Sequence, residues 1–173
     1  MNVLAHDIQN MPVISLQTGD TVATLQLPVI DMGTLKVAAF RCEALSSGRS
    51  MVLLPRDIRQ FATDGLLIDN EDELSEPHDL VRLNQLLKQD FNPIGKAVVT
   101  DMGRRLGTIE NYALDLEHHH IQTIIVKPPM LRSWLGSNLT IDRVQIVDVT
   151  PKKVVVRDAV MLMPAESLPQ SPA

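Results

Sequence analysis

The sequence predicts a mainly β protein: two small β-barrels in tandem, joined by a short helix. Three observations predict it. Short stretches rich in β-branched and apolar residues alternate with turn residues along most of the chain. Residues 97–126 can be laid on 13–42 at one constant offset of 84, placing Gly103 on Gly19, Thr108 on Thr24 and Asp115 on Asp31. And a single segment, near 78–89, departs from the strand pattern for a helical one.

The elements follow in order. Val13–Leu16, Thr21–Ile30 and Leu35–Phe40 read as strands, separated by turns at Thr18-Gly19-Asp20 and Asp31-Met32-Gly33. The second copy repeats them as Ala97–Thr100, Gly107–Leu114 and Ile121–Lys127, with turns at Asp101-Met102-Gly103 and Glu117-His118-His119. Further on, Leu139 meets Leu53 and Val144 meets Ile58 at an offset of 86, and Val154-Val155-Val156 answers Leu66-Leu67-Ile68 at 88. Small turn insertions account for that drift. Ile141–Val149 and Val154–Val160 read as a hairpin about Thr150-Pro151-Lys152-Lys153. Between the copies, Leu80, Leu83, Leu86 and Leu87 share one helix face, behind Pro77 and a run of acids suited to a helix start. The expected divisions are a first domain over 11–74, an acidic linker and helix over 75–90, a second domain over 91–160, and a disordered tail over 161–173, which has three prolines and no periodicity.

Composition narrows the function. The 173 residues suit two copies of modest core that lean on each other. Residues 1–90 hold 7 Lys/Arg against 13 Asp/Glu, and residues 91–173 hold 9 against 8, for a net charge of −5. That balance argues against general nucleic-acid binding, which needs a basic surface. A single cysteine, Cys42, excludes an intramolecular disulfide and points to a reducing compartment. The first residues carry neither a basic start nor an apolar stretch, and no run is long enough to span a membrane, so a soluble cytoplasmic protein is expected.

Candidate chemistry is sparse. Gly19 and Gly103 sit where a tight turn wants positive φ, and Asp31 and Asp115 end strands where a carboxylate can accept from turn amides. In Glu117-His118-His119-His120, strand alternation makes only His118 and His120 converge, two ligands where a metal site needs three, so no metal is expected. His78 and Glu117 have no motif spacing to supply the third. Cys42 matches the strand position of Val126 and reads as a small buried residue. No phosphate loop, dinucleotide fingerprint or nucleophile elbow is present, so no catalytic residue, no cofactor and no enzyme activity are expected. The segment that looks shaped for a partner is 127–138, with Met130, Leu131, Arg132, Trp134 and Leu135, where the first copy has the bland Glu43–Val52. Trp, Met and Arg are enriched at interface anchors, so these five are the candidate partner-binding residues.

The second copy, with Ile94-Gly95-Lys96-Ala97-Val98-Val99, Gly103-Arg104-Arg105-Leu106-Gly107-Thr108-Ile109, Ala113-Leu114-Asp115 and the later apolar positions, resembles the PRC-barrel family. The first copy keeps Gly19, Ile30-Asp31 and Leu54-Pro55-Arg56-Asp57-Ile58 but has Ala23 where the family usually has glycine. The resemblance implies a barrel whose relatives dock onto other proteins: a photosynthetic reaction-centre subunit, ribosome maturation factors, archaeal cell-division proteins. It says almost nothing about catalysis. The function expected is a non-enzymatic adaptor made of two PRC-like barrels, binding a protein partner or a second copy of the chain. The alternative is an RNA-processing or ribosome-assembly factor; a metal-dependent enzyme would rest on the histidine run alone.

Overall fold

A computed structural model describes residues 2–129 and 137–158. Strand β1 (Asn2–Leu4) and a one-turn helix α1 (Ala5–Ile8) precede β2 (Pro12–Ser15), β3 (Thr21–Asp31), β4 (Lys36–Ala44), β5 (Ser50–Leu53), β6 (Ile58–Ala62) and β7 (Gly65–Ile68). The two-residue strand β8 (Leu74–Ser75) and helix α2 (Val81–Gln89) lead into β9 (Ala97–Thr100), β10 (Arg105–Asp115), β11 (His120–Lys127), β12 (Leu139–Asp142), β13 (Ile146–Val149) and β14 (Lys153–Val156).

The strand pairings of the two halves correspond. In the first, β2 lies antiparallel to β3 and parallel to β7, β3 pairs with β4, β4 with β5, and β6 with β7. In the second, β9 lies antiparallel to β10 and parallel to β14, β10 pairs with β11, β11 with β12, and β13 with β14. Neither set closes into a barrel; instead all strands join one connected, open network. The opening falls between sequence neighbours. One turn of 3-10 helix, Pro55–Asp57 or Arg143–Gln145, swings the chain from β5 to β6 and from β12 to β13 without pairing them.

That turn corrects one expected strand. Ile141–Val149 is broken by Arg143–Gln145, because Asp142 and Gln145 form a capping box: Val144 N donates to Asp142 Oδ1 at 3.0 Å and Asp142 N to Gln145 Oε1 at 3.0 Å. The register also corrects the offsets. Val13 faces Leu66 and Ala23, where the other half places Val98 opposite Val154 and Gly107. Val13 therefore corresponds to Val98, one residue beyond the constant offset, since the turn after β2 is a residue longer than the turn after β9. Phe40 pairs with Leu53 as Ile124 pairs with Ile141, so the offset is already 88 there. The drift seen through 86 is one four-residue insertion between β11 and β12.

A single core cluster spans both halves, from Val13, Phe40 and Leu66 to Val98, Ile124 and Val156. Its driving force is apolar burial, about 25 cal/mol per Å². A second, smaller cluster lies outside: Leu83, Leu80, Leu86 and Leu87 of the linker and α2 cover Val29, Ala39 and Val52. The spacing of those leucines put them on one face, and that face is the one buried.

Between the halves, β4 and β11 touch at one residue pair, His120 opposite Lys36. Val37 N donates to His119 O at 2.8 Å and Ile121 N donates to Leu35 O at 2.9 Å. The partners are exchanged reciprocally, as in a two-fold contact. Arg143 Nη2 adds a bond to Thr34 O at 2.9 Å. A second link was missed in the sequence: β1 pairs with β10, Leu4 opposite Ala113 and Asn2 opposite Asp115, and Ala5 and Ile8 are fully buried.

Gly107 sits where the backbone leaves no room for a side chain. Its φ is +155°, and a Cβ there would run into the Lys127 carbonyl group. Gly103, at φ +83°, has open space around a Cβ. Gly103→Ala is expected to cost about 1 kcal/mol from backbone strain alone, and Gly107→Ala at least about 2–3 kcal/mol as strain and overlap add. Denaturant unfolding of both variants measures the difference; equal losses would refute the overlap.

His119 has the left-handed backbone of Leu35, φ 51° against 57°, at the corresponding turn position. Its Nδ1 is buried without a hydrogen-bond partner among the described residues, and burial pushes its pKa below the ordinary value. Leucine already fits this conformation at Leu35, which is buried. His119→Leu is therefore expected to stabilise the fold by about 1 kcal/mol by removing the orphaned nitrogen. A lowered denaturation midpoint at neutral pH would contradict this.

Candidate functional site

The five residues singled out as a partner anchor, Met130, Leu131, Arg132, Trp134 and Leu135, lie outside the described residues, as does the expected tail from 161 onward. Their flanks are described. Lys127 ends β11 opposite Thr108, and Asn138 Nδ2 donates to Glu110 Oε2 at 2.6 Å just before β12.

The best-defined cluster of polar side chains is the turn between β10 and β11. Asp115 organises it: Oδ1 accepts from Glu117 N at 2.9 Å and from His118 N at 3.3 Å, and Oδ2 lies 2.7 Å from His118 Nδ1. The His118 ring hydrogen bond and the two amides hold the Asp115 carboxyl at about 2, well below the usual range. One ligand atom each from Asp115, Glu117 and His118 lie within 4.8 Å of one another. Strand alternation had paired His118 with His120. Their rings do meet, centroids 5.9 Å apart, but the chain curls through His119 and brings Asp115 and Glu117 in as well.

The corresponding turn of the first half has the same frame and different chemistry. Asp31 Oδ1 accepts from Gly33 N at 2.9 Å and Oδ2 from Thr34 Oγ1 at 2.9 Å. Gly33, Thr34 and Lys36 stand where the second half has Glu117, His118 and His120. Asp31 and Asp115 thus each serve their own turn, as the sequence reading expected of strand-ending carboxylates.

Each turn also walls a groove against the opposite half. Met32, Thr34, Arg143, Val144 and Val147 line one of about 340 Å³; Ile58, Phe61, Leu116 and His119 line its counterpart of about 360 Å³. The first carries the exposed apolar side chains, Val144 at 75% and Val147 at 55% accessible. Cys42 is buried on β4 as expected, and burial pushes its thiol up to about 12, so it carries no thiolate at neutral pH. Among the described residues, no helix is long and apolar enough to cross a membrane.

No curated protein matches the chain. A family model does: the PRC-barrel domain, over residues 88–168. That span runs from the end of α2 through β9–β14 and includes Gly107, whose cramped backbone accounts for the glycine of the motif. Residues 88–168, the second half of the chain, are thus similar to the PRC-barrel domain.

Proposed function

We propose that this protein is a non-enzymatic adaptor, built from two PRC-like β units joined by a short helix, that binds a protein partner. The first half is read as a second PRC-like unit because its strand pairings correspond to those of the matched half. The observation that carries the binding role is the exposed pair Val144 and Val147 beside Met32, at a groove formed jointly by the two halves. Exposed aliphatic side chains rimmed by Arg143, Thr34 and Asp148 have the make-up of a docking surface, an apolar centre within a polar border. Met130, Leu131, Arg132, Trp134 and Leu135 are the second candidate surface, on composition alone.

The test has two stages. Full-length protein is used to capture partners from native lysate, and the enriched protein is then made separately and titrated directly. Val144→Asp with Val147→Asp is expected to weaken that direct binding by about tenfold or more, with the melting temperature within a few degrees of wild type. Trp134→Ala should cost about 2 kcal/mol of binding if the 127–138 segment contributes an anchor. Enrichment of ribosomal proteins that is abolished by nuclease would replace this reading with the ribosome-assembly alternative. Unchanged affinity in both variants would remove both surfaces from the proposal.

A further inference from the structure

We propose that the turn joining β10 to β11 is a binding site for a late first-row divalent cation such as Zn²⁺, held by Asp115, Glu117 and His118 with His120 as the fourth ligand. Imidazole and carboxylate together are the donor set such ions prefer, as distinct from the all-oxygen sets that suit magnesium or calcium. Ligand atoms on one tetrahedral ion lie roughly 3.3–3.6 Å apart, given metal–ligand bonds of about 2.0–2.2 Å. The three atoms here span at most 4.8 Å, and Glu117 and His118 are exposed, so small rotations close the gap.

Two observations outside the cluster support the assignment. The first is the comparison within the molecule. Asp31 builds the same turn with Gly33, Thr34 and Lys36, and there Thr34 Oγ1 meets the aspartate oxygen that His118 Nδ1 meets in the second half. A hydroxyl suffices at the His118 position, and the turn forms with glycine at the Glu117 position and lysine at the His120 position, so the second half carries three strong ligand side chains that the shared turn does not call for.

The second is the orientation of His120 from another strand. Asp142 of β12 accepts a bond from Gln122 Nε2 at 3.1 Å, which turns Gln122 Oε1 toward His120 Nε2 at 3.0 Å. A carboxylate only accepts and an amide oxygen only accepts, so His120 Nε2 must carry the proton. With Nε2 donating, Nδ1 is the ring nitrogen left to bind an ion. A metal-bound imidazole is ordinarily fixed by such an outer partner, and here the partner is in place. His118 Nδ1 faces Asp115 Oδ2 at 2.7 Å, and an ion entering there takes the place of the shared proton.

The test is titration of the full-length chain with Zn²⁺ by calorimetry and with Co²⁺ by visible absorption, in buffer without chelators. Wild type is expected to take up about one equivalent of either ion per chain, with a ligand-field band for cobalt. His118→Ala should weaken uptake by about a hundredfold. Gln122→Leu, a positioning change, should weaken it by about ten- to a hundredfold with the stoichiometry unchanged. His78→Ala, on the linker beside Glu76 and Asp79, should leave it as in wild type. His118→Gln and far-ultraviolet circular dichroism distinguish a lost ligand from a lost fold. No saturable uptake by wild type, or uptake equal in the His118→Ala/His120→Ala double variant, would overturn the site.

Discussion

The two halves are held in register by a pair of exchanged backbone hydrogen bonds, Val37 to His119 and Ile121 to Leu35. The meeting of the two central turns depends on that contact. It sets His120 opposite Lys36, where β4 and β11 meet, and it places each turn against the other half so that Arg143 reaches the Thr34 carbonyl. Two hydrogen bonds are worth only a few kcal/mol at most in net terms. Their importance is geometric, since the apolar cluster from Val13 to Val156 has no directionality of its own. The bonds choose the one arrangement in which that cluster is shared.

Much of the local structure was legible because it follows from short-range rules. Leu80, Leu83, Leu86 and Leu87 announced a helix and its buried face, and both held. Asp31 and Asp115 were read as turn-forming carboxylates, and each accepts bonds from the residues of its own turn. What the sequence hid was relational. The pairing partner of Val13 depends on a turn one residue longer, which matching of apolar residues cannot see because Val98 and Ala97 fit equally well. The break within Ile141–Val149 depends on a capping box whose Asp142 and Gln145 are unremarkable polar residues in a strand-like run. The cluster at Asp115 was hidden for the same reason. Alternation along a strand predicted which histidines converge, but His119 adopts a left-handed backbone that strand periodicity does not describe.

The two turns, at Asp31 and at Asp115, show how one backbone frame carries different side-chain chemistry. The aspartate recurs, with the left-handed backbone of Leu35 and His119, while the other side chains of the turn differ without disturbing the frame. Similar freedom separates the β4–β5 connection from the longer β11–β12 connection, where four residues have been added between strands whose pairing is otherwise matched. The changes of length fall in connections, while the ladders common to both halves keep their register, which is the ordinary division of labour between loops and scaffold.

Strand β1 has a consequence for the order in which the molecule can be completed. Asn2–Leu4 pairs with Ala113–Asp115, which lie about 110 residues later in the chain. At a synthesis rate of roughly 5–20 residues per second, the opening residues wait on the order of ten seconds for their partner to be made. Ala5 and Ile8 remain without their full covering over that interval, and the second half in turn lacks one strand on β10 until Asn2–Leu4 pairs with it. The pairing is a contact of high sequence separation, of the kind that governs folding speed more than final stability.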